Sequence, residues 1–456
     1  MIKSKKNQNN IDYFLKIDYH WNNIKIWWDN ISKDTNNLFP NNFKKVSEND
    51  KNVFNIKLLY LIKKIFNIDD INIIDKININ NYNIDDIIKN IKDNYNLLNI
   101  FVEDYSDLKN NINYILQYQN YFGLIKKKLI DIALPLFNDE HFDKLFKTDD
   151  DLTRILAPIA GSVFYIYLTE RDVEKTLQIC LTLDNIFIQF FVISYLIVDN
   201  FMDTVNDDNL SKKIFLKWFM NIVENPSDKI FLSDEHQKIW QCITFEKYFS
   251  LFIQKYPYSE NKIIYDFVKI MISTLNKANI MQKNKDISEN DILEHTFKKS
   301  YVVSFFMALL INIQLKKKIS KKNMFNLCKL LFLIQIYDDY FDVDKDILEG
   351  NYTYFNSDKI NINFDDRVKK TVLANFLFIK ELNEKNNNVN NIINYVMKNV
   401  ILLVFYIHMN KISNSLINYF FEYSIFSDNS IKYFDKNSYD QFNNNILIKF
   451  IKLYIS

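Results

Sequence analysis

Three glycines and five prolines in 456 residues give this chain almost none of the backbone punctuation that most folds use. Glycine supplies the positive φ angles needed by tight hairpins, bulges and phosphate-cradling loops. Its scarcity argues against all-β folds and against Rossmann or P-loop nucleotide binders. What remains is an all-α chain. The texture is rich in Asn and Lys, yet 48% of residues are hydrophobic and 16% aromatic, enough to fill a large core.

The charge pattern removes other classes. A net charge of +1 provides no bulk field for nucleic acid or an anionic membrane. Arginine is confined to Arg154, Arg171 and Arg367, so nearly all positive charge is lysine. Cys180, Cys242 and Cys328 stand far apart in apolar contexts and read as reduced core thiols. The polar start, residues 1–10, shows no secretory signal. Apolar runs such as 186–198 fall short of the roughly 20 residues needed to cross a bilayer. The expectation is a cytoplasmic protein without a stable membrane span and without a nucleic-acid partner.

Residues 1–115 read as an N-terminal helical extension of unclear role, and residues 116–456 as the main helical domain. In the extension, helical periodicity shows at 13–31 and 53–66, with Asn/Asp/Ile-rich pieces between and beyond. In the main domain it recurs at 114–137, 150–168, 170–182, 183–203, 210–223, 238–256, 261–277, 291–315 and 324–346. A polar loop follows Gly350 to about residue 365, then helical patterns at 368–384, 389–423 and 443–455.

Two of these helices end in aspartates. Residues 330–346, LLFLIQIYDDYFDVDKD, run apolar and then deliver Asp338, Asp339, Asp342 and Asp346. The i, i+4, i+8 spacing sets Asp338, Asp342 and Asp346 on one helical face. Carboxylates so crowded repel one another, and a hard divalent cation with oxygen ligands would relieve them. A solvated acidic helix end is the competing reading. Residues 183–203, LDNIFIQFFVISYLIVDNFMD, are apolar on nearly every face and end in Asp199, Asn200 and Asp203. In a bundle the two clusters can face one cavity and hold Mg²⁺ against a diphosphate leaving group. Lone His295 reads as structural, and the basic run Lys316 to Lys322 as a solvated loop.

With these residues the chain, from about Gly123 onward, resembles the trans-isoprenyl diphosphate synthases and the class I terpene synthases that share their helical fold. Asp199-Asn200-Phe201-Met202-Asp203 is similar to that family's first motif, DDxxD, and Gln335 to Asp342 to its second, QIxDDYxD. Lys299-Ser300 before an apolar helix resembles its Lys-Thr position. The resemblance implies an isoprenoid-synthase-type bundle and an enzyme that uses Mg²⁺, three ions with bound diphosphate, on an allylic prenyl diphosphate. The metal ligands it implies are Asp199, Asn200, Asp203, Asp338, Asp339, Asp342 and Asp346; Lys299, Lys212 and Lys213 would hold phosphate oxygens. Tyr195, one turn before Asp199, would be the floor that limits chain length to about C10–C20. A trans-prenyltransferase taking isopentenyl diphosphate, and able to form a homodimer, comes first; a terpene cyclase second; an inactive helical scaffold third.

The departures concern cations. The Arg-Arg-Gly after the first motif is absent, with Lys212-Lys213 nearby. Lys126 to Lys128 is the nearest basic cluster to the missing Gly-Lys-x-x-Arg. Gly350-Asn351 stands where Gly-Lys is expected. These groups serve elongation more than simple ionisation.

Overall fold

A computed structural model describes residues 15–31, 45–52, 124, 127–128, 165–166, 168–170, 173–186, 209–226, 230–315, 320–383 and 411–424. Among them 80% are helical and none lies in a strand, so the chain is all-α as its glycine content requires. The described residues fall into two compact units. One takes residues up to Asn30 and from Leu124 to Asn361; the other takes Ile31 to Gly123 and everything from Ile362.

The first unit contains α1 (Ile17–Asp29), α2 (Val173–Thr182), α3 (Asn209–Glu224), the single turn α4 (Asp234–Gln237), α5 (Trp240–Lys255), α6 (Tyr258–Gln282), α7 (Glu289–Leu315), α8 (Lys321–Phe341) and α9 (Val343–Glu349). Its axis is α7. Ser288 starts that helix with a capping exchange: Asp291 N–H donates to Ser288 Oγ at 3.2 Å, and the hydroxyl returns a bond to Asp291 Oδ2 at 2.6 Å. From Tyr301 to Ile311 every residue of α7 is buried. A helix apolar on all faces has to be surrounded, and α6, α8 and α1 pack against it. Among the described helices only α7 is long and apolar enough to cross a membrane, and most of it lies buried inside the protein.

α1, at the start of what reads in sequence as an extension, packs within this first unit. Trp21 stacks on Phe297 of α7 at 5.9 Å, and Trp28 meets Phe332 of α8 edge-on at 5.1 Å. His20 stacks on Tyr301 at 5.3 Å, and Asp18 pairs with Lys298 at 2.6 Å. Each fully buried large side chain here contributes about 1.5–3 kcal/mol through removal from water.

The helix expected at 324–346 is two helices. α8 closes at Asp342 (φ −90°, ψ 9°), and α9 begins at the next residue. The i to i−4 ladder runs across the joint, because Asp342 N–H reaches Asp338 O at 2.9 Å and Asp346 N–H reaches Asp342 O at 2.7 Å. The helix expected at 261–277 is longer at both ends. Pro257 starts α6, and Asn261 is a kink inside it (φ −125°, ψ 27°) that resembles a helix start in sequence. Beyond α9, Gly350 turns left-handed at φ +69° and ends the helix. The stretch after it is less of a polar loop than expected: Thr353, Tyr354, Phe355 and Ser357 are buried, and Tyr354 meets Trp28 at 5.7 Å.

The second unit carries α10 (Phe364–Asn383) and α11 (Asn414–Tyr423). Asp365 accepts from Ser413 N–H at 3.0 Å, and Val46 N–H donates to Glu422 O at 2.9 Å. Within it, α10 buries Val368, Val372, Ala374 and Phe376. The expected helices at 53–66 and 443–455, and most of those at 114–137, 150–168, 183–203 and 389–423, lie outside the described residues.

Candidate functional site

The α8–α9 joint concentrates the acidic residues. Asp338, Asp339, Asp342 and Asp346 stand on two consecutive helical segments, and α7 runs beside them. The apolar residues of α8 fix its orientation: Leu333, Ile336 and Tyr340 turn into the core, which sends Asp338 and Asp342 outward. Asp339 falls on the inward side and is only 4% exposed.

Asp339 differs from its neighbours. Thr296 Oγ1 of α7 donates to its Oδ2 at 3.3 Å, and the main chain at Tyr354 donates to it as well. Burial first, then the charges of Asp338 and Asp346, push its carboxyl well above the usual range. It is an internal anchor that ties α7, α8 and the segment after Gly350 together.

The other three carboxylates share a pattern. Gln335 Nε2 donates to Asp338 Oδ2 at 2.6 Å. Lys345 Nζ stands 3.7 Å from Asp342 Oδ2. Asn351 Nδ2 donates to Asp346 Oδ1 at 3.2 Å. Asp338 and Asp346 thus each have one oxygen hydrogen-bonded to a neighbouring amide, while Asp342 has only a looser ion-pair contact.

Electrostatics binds the group together. Burial raises the Asp338 carboxyl, Lys299 lowers it, and Asp342 raises it again. Asp338 is nonetheless exposed to solvent. Asp346 rises to about 6 through burial first, against the Asn351 hydrogen bond, with the charges of Asp342 and Asp338 adding to the rise. Lys299, one turn beyond Thr296 on α7, is the cation common to Asp338, Asp339 and Asp346. Adjacent Lys298 is committed elsewhere, to Asp18 and Glu294 at 2.6 Å each.

The structure thus brings together Lys299 with Asp338, Asp339, Asp342 and Asp346. Lys212 is half-buried and Lys213 exposed near the start of α3; among the described residues, Lys299 and Lys345 act on these carboxylates. Asp199, Asn200, Asp203 and Tyr195 lie outside the described residues. Among the described residues, no three His, Cys, Asp or Glu side chains are gathered closely enough to hold a metal ion as they stand.

Two other expectations can be placed. Lys128, in the basic cluster nearest the missing upstream motif, donates through Nζ to Leu183 O at 2.8 Å and to Leu181 O, so it caps the end of α2. His295 is buried, and burial, its largest influence, lowers its pKa. Sequence reasoning missed Thr296 and Asn356, and read Asn351 only as an absent lysine. Only Thr296, three residues before Lys299 and so on its helical face, carried a usable signal.

Comparisons with protein-family models, with curated proteins and with solved structures find no match for this chain.

Proposed function

We propose that this chain is a Mg²⁺-dependent enzyme acting on an allylic prenyl diphosphate, in the first instance a trans-prenyltransferase making a short-chain isoprenyl diphosphate. One observation carries the proposal: the carboxylates Asp338, Asp342 and Asp346 stand at one helix joint, where the described cations that act on them are Lys299, on Asp338 and Asp346, and Lys345, beside Asp342. Such a set is short of positive charge, and its all-oxygen donors suit a hard divalent ion. Asp338, Asp342 and Asp346 would hold Mg²⁺ together with Asp199, Asn200 and Asp203. Bound there, Mg²⁺ supplies Lewis-acid assistance to the departure of diphosphate. Lys299 would hold phosphate oxygens, with Lys212 and Lys213 as further cations, while Asp339 keeps the helices in place.

A specific observation favours terpene cyclisation as the second reading. Where an elongating enzyme would place a lysine, Asn351 uses its amide on Asp346 and Glu349, so a phosphate-binding cation is replaced by a neutral clamp. Incubation with farnesyl diphosphate and Mg²⁺, with and without isopentenyl diphosphate, separates the two. Longer diphosphates establish elongation, and hydrocarbon products establish cyclisation. If neither product nor released pyrophosphate forms, the enzymatic proposal falls and the helical scaffold stands. Tyr195→Ala should lengthen the product; an unchanged spectrum removes Tyr195 as the chain-length floor.

A further inference from the structure

The connection from α3 to α5 closes on one histidine. Trp218 of α3 is buried; its Nε1 donates to Phe231 O at 3.2 Å, and its ring lies 5.7 Å from that of His236, tilted by 39°. One indole thus holds both ends of residues 231–236. Between those ends, Ser233 N–H donates to His236 Nδ1 at 3.2 Å, and Ser233 Oγ lies 3.0 Å from the same nitrogen. This is a capping box, in which the third residue of α4 reaches back to the main-chain N–H of its N-cap. Glu or Gln is the usual residue there. The turn's own bonds follow: Gln237 N–H to Ser233 O at 3.0 Å, Lys238 N–H to Glu235 O at 3.2 Å and Ile239 N–H to His236 O at 3.1 Å.

A histidine in that place depends on its proton in a way that glutamine does not. A main-chain N–H can only donate, so Nδ1 must present a lone pair and the ring must be neutral, with its hydrogen on Nε2. A proton arriving at Nδ1 sets two N–H groups head to head, their nitrogens 3.2 Å apart. The Ser233 hydroxyl can adapt, since it accepts from Nδ1–H as well as donating to bare Nδ1. The main-chain N–H cannot. Charged groups stand on every element around the ring: Asp234, Glu235 and Lys238 on its own turn, Lys217 beside Trp218 on α3, and Glu246 on α5 beside Phe245, which itself meets Trp218. Among the described residues none forms an ion pair with His236, so no fixed countercharge holds the cation in place. The Trp218 face favours a cation, but only weakly where the ring is partly exposed.

We infer that His236 is a proton-operated latch on the α3–α5 connection. Neutral, it closes residues 231–237 over Trp218; protonated, it releases the Ser233 N–H and the turn opens. Phe231, already 82% exposed, and the Trp218 face are the apolar surfaces that this opening frees. Histidine as a residue type changes charge between about pH 5 and 8, where ordinary carboxylates and lysines keep theirs. The latch contributes while Nδ1 is bare and is lost as pH falls.

Amide hydrogen exchange of the full chain tests it, read by mass spectrometry at pH 7.5 and pH 5.0 and corrected for the intrinsic pH dependence of exchange. Wild type is compared with His236→Gln, in which glutamine accepts from the N-cap N–H without titrating. At pH 5.0 wild type should lose protection by about 2- to 30-fold over residues 233–239, the range that one helix cap spans. Residues 242–253 of α5 should keep theirs, and His236→Gln should protect the turn equally at both pH values. Wild-type protection that does not change with pH would overturn the inference. So would an equal loss in His236→Gln, which would place the sensor elsewhere. A loss spread evenly through α5 would mark general acid destabilisation and overturn it as well.

Discussion

Replacing Asp346 by asparagine should stabilise the metal-free protein at neutral pH and leave it nearly unchanged in acid. The Asp346 carboxyl is raised from 3.8 to about 6. Folding therefore favours its protonated form. That contribution is full below pH 3.8 and disappears as pH rises through 6. A rise of roughly two units corresponds to about 3 kcal/mol at 1.36 kcal/mol per unit. The side chain is only half-buried, so solvent screening reduces this to about 1–2 kcal/mol. Asparagine keeps an oxygen for Asn351 to donate to and removes the charge. All five tryptophans, Trp21, Trp27, Trp28, Trp218 and Trp240, belong to the unit that contains the site. Urea unfolding followed by tryptophan fluorescence in EDTA therefore reports on the relevant unit. Asp346→Asn should gain about 1–2 kcal/mol at pH 7.5 relative to its effect at pH 4. An effect equal at both pH values, or a net loss at pH 7.5, would refute the electrostatic reasoning.

Two further outcomes follow from the same packing. Phe332 is fully buried between Trp21, Trp28 and Phe297, so Phe332→Ala should cost about 3–5 kcal/mol in urea unfolding and disturb α1 and α8 together. A cost below about 1 kcal/mol would show that α1 does not pack there. Burial pushes Cys180 and Cys242 up to about 12 and Cys328 well above its ordinary value, so all three thiols should ignore a disulfide reagent at pH 8 until the chain is unfolded. Rapid labelling of the native protein would contradict this.

Much of the helical architecture was legible because α3, α5 and α10 carry helical periodicity, α7 is a long unbroken apolar run, and the chain lacks residues that break them. The breaks were harder to read. Asp342 interrupts a run with no proline or glycine, and the interruption keeps both i to i−4 hydrogen bonds, so nothing in composition marks it. The kink at Asn261 resembles a helix start, since asparagine favours both. In the candidate site, the outward aspartates and Lys299 followed from spacing. The inward turn of Asp339 did not, because its partners Thr296 and Tyr354 are 43 residues before it and 15 residues after it, in segments that only tertiary folding brings near. Asn351 appeared in sequence as a missing lysine, and its use as a clamp is visible only in three dimensions.

The central claim is that the aspartates at the α8–α9 joint hold a divalent cation against a diphosphate. The most direct measurement is the thermal unfolding temperature of the full chain with Mg²⁺ and inorganic pyrophosphate, in wild type and in an Asp338→Asn, Asp342→Asn double variant. A ligand at 100 times its Kd stabilises the native state by about 2.7 kcal/mol. The account predicts that Mg²⁺ and pyrophosphate together raise the wild-type unfolding temperature, that neither does so alone to the same degree, and that the double variant loses the increase. An unfolding temperature that ignores both ligands, or one that rises equally in the double variant, would contradict it.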